Sequence, residues 1–306
     1  MSAVNIIKSL KLQKEIDNYI ISTDIDKYAP GLHLADKYFI SPPVKMKNEY
    51  IDFLFDLVRR YKISAIFPCF SNEISIISEY SQDFHKLGAK TLLPHIDIVN
   101  LCNDKFRSSE FVKSLQIPIP KIVNNPTKAD LPVFSKMLSG SSSSGAVLIE
   151  DEFQLKSFML DNRMRLYQEY IDGIEYTVDI LCDRKSNVLV ASPRKRLSIK
   201  SGQTVKGITV HNEEICEYVK VICKKLGIIG VCNIQFIEQN GEYYFIEINP
   251  RYAAGGLMLT VKSGANIPLL ALKTMLNIPI NNNELETLPN VTMTRYWEEI
   301  ILGEKN

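Results

Sequence analysis

The stretch Tyr243–Gly256, "YYFIEINPRYAAGG", sets Glu247, Asn249 and Arg251 at alternate positions before a pair of glycines. Side chains two apart on a strand share a face. Glu247 and Asn249 are thus predicted to line one side of a strand whose other side, Ile246 and Ile248, packs into a core. Pro250 stops the strand, because proline has no N–H to give to a ladder.

Just upstream, "VCNIQFIE" and "EYYFIEIN" flank "QNG" and read as a hairpin, with Asn233 and Gln235 sharing one face of its first strand. A divalent cation bound to polyphosphate takes oxygen ligands from one or two protein carboxylates and amides. Register decides whether these side chains meet. A two-residue Asn240-Gly241 turn opposes Gln235 to Ile246 and points it away from Glu247. A three-residue turn, Gln239 to Gly241, sets Asn233 opposite Glu247 with Gln235 on the diagonal. A metal site here is therefore predicted to need the odd-length turn.

The chain has 306 residues, room for two or three domains. With 45% hydrophobic and 23% charged residues it reads as globular rather than disordered. Lys+Arg 36 against Asp+Glu 35 lacks the basic footprint of a nucleic-acid binder, so a small partner is expected. The N-terminus carries scattered charges, and no apolar run approaches bilayer length, which predicts a cytoplasmic protein with no membrane partner. Six cysteines without CxxC spacing and four dispersed histidines suggest buried thiols rather than a zinc site or disulfide framework.

Residues 4–17 read as a helix, "NYIIST" as a strand, "EYIDFLFDLVRRYK" as an amphipathic helix, "ISAIFPCF" as a buried strand and "NEISIISEYSQDFHKLG" as one further helix. Such alternation implies a parallel sheet. An open sheet of this kind ordinarily begins with a strand and a glycine-rich turn, whereas this chain opens on a helix, so the first strand is expected to be missing. The pattern changes near residue 100. Beyond it come a helix ended by Pro118 and Pro120, the strand "PVFSKML", the segment "SGSSSSGA", and strands "RLYQEYI", "EYTVDILCD" and "NVLVASPRKRL". A helix over Glu213–Leu226 precedes the hairpin.

Ser139 to Ala146 could close backbone N–H groups and hydroxyls over phosphate oxygens, or serve as a linker. It is no P-loop, since Ala146 and Val147 stand where Lys and Ser/Thr are required. Arg251 would reach the end of the hairpin site and fork onto a phosphoryl group. Arg194 and Arg196 share a strand face, with Lys200 and Gly202 in the loop that follows; an anion site and a solvated basic edge are both open readings. Asp24 and Glu73 follow predicted strands, where α/β sheets place ligands, though turn and capping roles suit them equally.

Taken in order, "ADKYFISPP", "NDKFRSSEFVKSLQIPIP", "PVFSKMLSGSSSSG", "YQEYIDGIEYTVDIL" and the hairpin resemble the ATP-grasp superfamily, and within it the carbamoyl-phosphate-synthase-like carboxylate-amine ligases. The resemblance implies an α/β and α+β protein. Residues 1–100 would form an incomplete Rossmann-like, pre-ATP-grasp parallel-sheet domain lacking its first strand, 101–167 one ATP-grasp lobe and 168–306 the other. It also implies that Lys105, Lys136 and the loop serines Ser141, Ser142 and Ser143 contact phosphates. Gln168, Glu169, Tyr170 and Ile171 would hold adenine, and Glu175 the ribose. Gln235, Glu247 and Asn249 would bind two magnesium ions, or manganese in their place, and Arg251 a phosphate, with Arg194, Arg196 and Lys200 assisting catalysis.

The implied chemistry is activation of a carboxylate as an acyl phosphate by ATP, followed by attack of an amine or ammonia to form an amide or peptide bond. Small-molecule carboxylate and amine partners follow, with a homodimer as one option for assembly. Two other readings stay open: a non-catalytic ATP-binding subunit or sensor, and a small-molecule kinase.

Overall fold

The computed structural model describes residues 2–140, 145–161 and 163–302. The chain enters through α1 (Ser2–Leu12), β1 (Ile21–Asp24), α2 (Pro30–Leu34), β2 (Lys37–Ile40), α3 (Lys47–Tyr61), α4 (Ser71–Glu79) and α5 (Ser81–Lys86). β1 and β2 pair in parallel, Ile21 against Lys37 through Asp24 against Ile40. Among the described residues one further parallel bridge forms, Ala65 to Lys90, so "ISAIFPCF" gives a bridge rather than a full strand. The single helix expected over 72–88 breaks at Tyr80, whose φ −95° and ψ 12° leave the helical range. Tyr50, Ile51, Leu54, Val58, Ile77 and Phe84 make a local core.

Next come α6 (Ile96–Asn103) and α7 (Lys105–Ser114). Asp104 caps α7 by accepting from the N–H groups of Phe106 and Arg107, at 3.0 Å each, which sets Lys105 on the first turn. β3 (Val133–Met137), β4 (Val147–Ile149), α8 (Glu152–Met159) and β5 (Arg165–Glu169) follow. These strands form an antiparallel sheet in the order β4-β3-β5 over Val133, Ile149 and Leu155.

The remainder comprises β6 (Ile174–Cys182), β7 (Val188–Lys200), β8 (Gln203–Thr209), α9 (Glu213–Leu226), β9 (Gly230–Gln239), β10 (Glu242–Asn249), α10 (Leu257–Lys262), α11 (Ile267–Leu276) and β11 (Thr292–Thr294). Its strands make a six-stranded antiparallel sheet, β10-β9-β6-β7-β8-β11. α9 shows why one face is covered. Ile215, Val219, Ile222 and Leu226 recur at helical spacing and are buried, Asn212 caps its start, and left-handed Gly227 (φ 76°) ends it. Burying each such side chain contributes roughly 1.5–3 kcal/mol. α1, α10 and α11 cover the opposite face through Leu10, Leu257, Leu270 and Val231. The protein thus joins a parallel-paired α/β unit to two antiparallel α+β sheets that face one another across a cleft.

Candidate nucleotide and metal site

The hairpin turns over two residues, Asn240 and Gly241, both left-handed at φ 55° and 85°. The odd-length turn expected for a metal site is absent. The extra residue lies inside the strand instead. Phe245 pairs with Phe236, a β-bulge leaves Ile246 without a partner, and Glu247 then stands opposite Gln235 and Asn249 opposite Asn233. A bulge changes strand parity just as an added turn residue does. Gln235 therefore meets Glu247 directly rather than on the diagonal. Ile246 is not the core partner of Ile248; Phe245 and Ile248 fill the core, and Phe236 packs edge-on against Phe245. The main chain at the bulge is used on both sides, the Phe245 N–H donating to Pro118 O at 2.8 Å and Lys136 Nζ donating to Ile246 O at 2.9 Å.

Around Glu247 the polar groups form one chain. Asn249 Nδ2 donates to Glu247 Oε1 at 2.9 Å, Arg251 Nη2 donates to Asn249 Oδ1 at 3.2 Å, and Asn233 Nδ2 donates to the Arg251 carbonyl at 2.9 Å. Burial pulls Arg251 below the usual guanidinium range, while Glu247 acts in the opposite direction. The glycines that end the opening stretch allow close approach. A Cβ on Gly256 would lie 2.1 Å from Arg194 Cζ, and one on Gly255 would lie 2.7 Å from the Thr204 nitrogen.

Among the described residues no cluster of three or more His, Cys, Asp or Glu could hold a metal. The donor set is instead one carboxylate with amide oxygens, which fits a hard cation that keeps most of its shell from water and phosphate. Gln235 and Glu247 line both neighbouring cavities, and Asn249 stands behind Glu247.

The smaller cavity, about 230 Å³, lies between the three-stranded and six-stranded sheets. Lys105, Lys136, Gln168, Glu169, Tyr170, Ile171 and Glu175 all line it. Lys136 is buried, and its pKa is pushed down to about 8 by desolvation, with Glu247 opposing and Lys105 adding to the fall. Lys105 Nζ donates to Gly140 O at 2.9 Å, at the edge of the serine-rich loop; Ser141, Ser142 and Ser143 lie outside the described residues. Lys121 binds the Glu169 carboxylate through its N–H at 2.7 Å and accepts the Glu169 N–H at 2.9 Å. The N–H groups of Tyr170 and Ile171 have no acceptor among the described residues. Arg165 is a feature the sequence did not single out. It donates to Gly145 O at 2.8 Å and to Ser135 at 3.1 Å, anchoring the far edge of the loop.

The larger cavity, about 660 Å³, is walled by the first parallel unit, β8 and the six-stranded sheet. Arg196 and Arg194 reach it in different ways. Arg196 lines both cavities and is held by Glu175 at 2.6 Å, Thr204 at 3.1 Å and Gly202 O at 2.9 Å. Arg194 is buried and paired with Asp179 at 3.0 Å, and Thr260 also donates to that carboxylate at 2.6 Å, so its guanidinium braces the sheet. Lys200 belongs to β7 rather than to the following loop; it is exposed and lines neither cavity, because bulges at Arg196, Ser198 and Ile199 rotate the strand end away. Thr204, Gln203 and Tyr50 also line this wall, and nothing local in the sequence marks them.

Comparison with known proteins places this arrangement. Residues 2–92 match the family described as PylC-like, N-terminal domain, and residues 162–297 match ATP-grasp in the biosynthetic pathway with Ter operon. Residues 162–297 thus resemble ATP-grasp proteins. The whole chain is similar to the carbamoyl phosphate synthase large chain of Clostridium botulinum (strain Alaska E43 / Type E3), at 23% identity over 305 residues, covering 92% of this chain and 28% of that one. The chain therefore spans little more than a quarter of the length of that relative. Rhizobium etli pyruvate carboxylase shares the fold at TM-score 0.72 and 18% identity, over 94% of this chain and 29% of that one. The biotin carboxylase domain dimer of Hydrogenobacter thermophilus 2-oxoglutarate carboxylase, solved with MgADP, ADP and bicarbonate, does so at TM-score 0.68 and 21% identity, over 90% and 67%. Among the described residues no helix is long and apolar enough to cross a membrane.

Proposed function

We propose that the protein is an ATP- and magnesium-dependent ligase that joins a carboxylate to an amine or ammonia through an acyl phosphate, releasing ADP and phosphate. The observation that carries this reading is the junction of the cavities: Gln235, Glu247 and Arg196 line both, so a phosphoryl group leaving one enters the other beneath shared side chains. Residues 1–100 would supply the acceptor wall, and 101–167 with 168–306 the clasp around ATP. Adenine would take the unengaged N–H groups of the 168–171 segment. Glu175 would offer the ribose the oxygen that Arg196 does not hold, and Lys105 and Lys136 would reach the phosphates.

Bound magnesium would screen the charge on the triphosphate and on the transferring phosphoryl group. Gln235, Glu247 and Asn249 are the donors that would hold it, as two ions if Glu247 bridges them. In the first step a substrate carboxylate oxygen attacks the γ-phosphorus and ADP leaves. In the second an amine attacks the acyl carbon, the carbonyl oxygen takes up charge, and phosphate leaves. Arg251 has no carboxylate within ion-pair distance among the described residues and would fork onto that phosphate in both steps. No protein nucleophile is used.

The test is phosphate release from ATP and Mg²⁺ with pooled carboxylates and amines, with Glu247→Gln as the blank. The expected product mass is one carboxylate plus one amine less water. A stable phosphorylated product would instead indicate a kinase. ATP binding without phosphate release from any pool would support a non-catalytic ATP-binding module. One observation favours that second reading: a cavity of about 510 Å³, lined mainly by apolar side chains with Asp24 and Glu73 at its edge, lies between β1 and the Ala65 bridge and leaves the acceptor wall less braced than the clasp.

A further inference from the structure

The larger cavity has walls of opposite charge. Arg194, Arg196 and Arg251 lie on one side, with Asp24 at the end of β1 and Glu73 in the first turn of α4 on the other. The basic wall is partly neutralised, since Arg194 pairs with Asp179 and Arg196 with Glu175, which leaves Arg251 as its free cation among the described residues. The acidic wall has no ion-pair partner among the described residues. Among the described residues no lysine, arginine or histidine forms an ion pair with Asp24 or Glu73, and Lys45, exposed on the same cavity, pairs with neither.

Glu73 is fixed in place. Its Oε1 accepts the Tyr50 hydroxyl at 2.5 Å, and its Oε2 accepts the N–H groups of Cys69 at 2.8 Å and Phe70 at 3.3 Å. Burial pushes its pKa up, those three hydrogen bonds work against the rise, and Asp24 adds to it. Asp24 Oδ1 accepts the Asp26 N–H at 3.0 Å, and Oδ2 has no partner among the described residues. Capping and turn roles account for the oxygens already bonded. They do not account for two carboxylates facing a cavity without an ion-pair partner among the described residues, an arrangement suited to a positive group. The position, at the carboxyl end of a parallel strand, is where α/β sheets receive ligands.

Resting on the ligase reading above, we propose that the carboxylate substrate is an amino acid. Its ammonium docks on Asp24 Oδ2 with the Glu73 charge behind it, and its carboxylate lies across the cavity at Arg251, beside Glu247. A sugar acid, which carries no ammonium, leaves the acidic wall without a counter-charge, and a dicarboxylate is repelled by it.

Calorimetric binding of the amino acids, each against its des-amino carboxylic acid, with Mg²⁺ and a non-hydrolysable ATP analogue present, tests this. At least one amino acid is expected to bind roughly ten-fold or more tightly than its des-amino partner. Asp24→Asn should erase that difference; its amide oxygen can still accept the Asp26 N–H, and an unchanged thermal midpoint checks the fold. Equal binding of the two series, binding of neither series, or a preference that survives Asp24→Asn overturns the proposal. Phosphate release in the same mixtures, with ATP in place of the analogue and pooled amines added, reports separately on the ligase reading. An amino-acid preference without turnover upholds the substrate class and sinks the ligase.

Discussion

The smaller cavity draws its lining from two facing sheets and the segments at their ends, so strand parity positions its strand residues, such as Lys136, Gln168 and Gln235. The larger one gathers Asp24, Glu73, Thr204, Glu247 and Gly255 from three separate parts of the chain. In the first, a local rule of alternation places a group to within one residue. In the second, placement depends on how the parallel unit docks, and no local rule applies. Glu247 belongs to both, and it gets there through a bulge that breaks the alternation once.

The largest break in this comparison is expected at the shared residue. Glu247→Gln should cut phosphate release roughly a thousand-fold. The thermal midpoint should stay within a few degrees, because Phe245 and Ile248, not Glu247, hold the strand to its core. Unfolding of the variant would make Glu247 structural and separate the two cavities functionally.

Next in size is Gly256→Ala, which acts on the wall of the larger cavity alone. Its Cβ would displace the Arg194 guanidinium and leave Asp179 buried without its partner. Breaking such a pair costs about 3 kcal/mol or more, to be read as a lowered denaturant midpoint. An unaffected midpoint would mean that Arg194 does not brace this wall.

Lys136→Met probes the smaller cavity in isolation. The methionine keeps the length and loses the charge, and ADP affinity measured by calorimetry should fall roughly thirty-fold. Stability should hold, since a buried charge is removed with it.

A smaller effect follows from the position of Lys136 on the pH scale. With its pKa near 8 in the fold, against an ordinary value of 10.5, Lys136 loses its proton in the native state first. The penalty for burying the charge is therefore complete below about pH 8 and is relieved as pH rises towards 10.5. Nucleotide affinity runs the other way. ADP binding should weaken about ten-fold between pH 7 and 9 as the ammonium is lost, and Lys136→Arg should flatten that slope, since guanidinium stays charged.

Much of the smaller cavity was legible in the sequence. Lys105, Lys136, the 168–171 segment and Glu175 sit in runs whose period marks strand or helix, and those runs occur in the order of a known family. The hairpin was legible in its residues and not in its register. Alternation and turn length together could not reveal the bulge at Ile246, which forms because Phe245 seats against Phe236 and Pro118 while Lys136 binds the Ile246 carbonyl, a contact across 110 positions. Arg194 and Lys200 part from Arg196 for a related reason. Parity groups Arg194 with Arg196, yet Asp179, itself held by Thr260, claims the first from β6, and successive bulges accompany the outward turn of Lys200. In the parallel unit, helix breaks and short pairings fell below what hydrophobic period can resolve; β2 and α2 each span five residues or fewer.

The central claim is that the bulge brings Gln235 and Glu247 face to face to hold a cation between the two cavities. Electron paramagnetic resonance of Mn²⁺ titrated into the protein with ADP tests it most directly. The account predicts a protein-bound ion whose affinity drops at least about ten-fold in Glu247→Gln and measurably in Gln235→Ala. Equal Mn²⁺ affinity in the native protein and both variants, with ADP still bound, would contradict it.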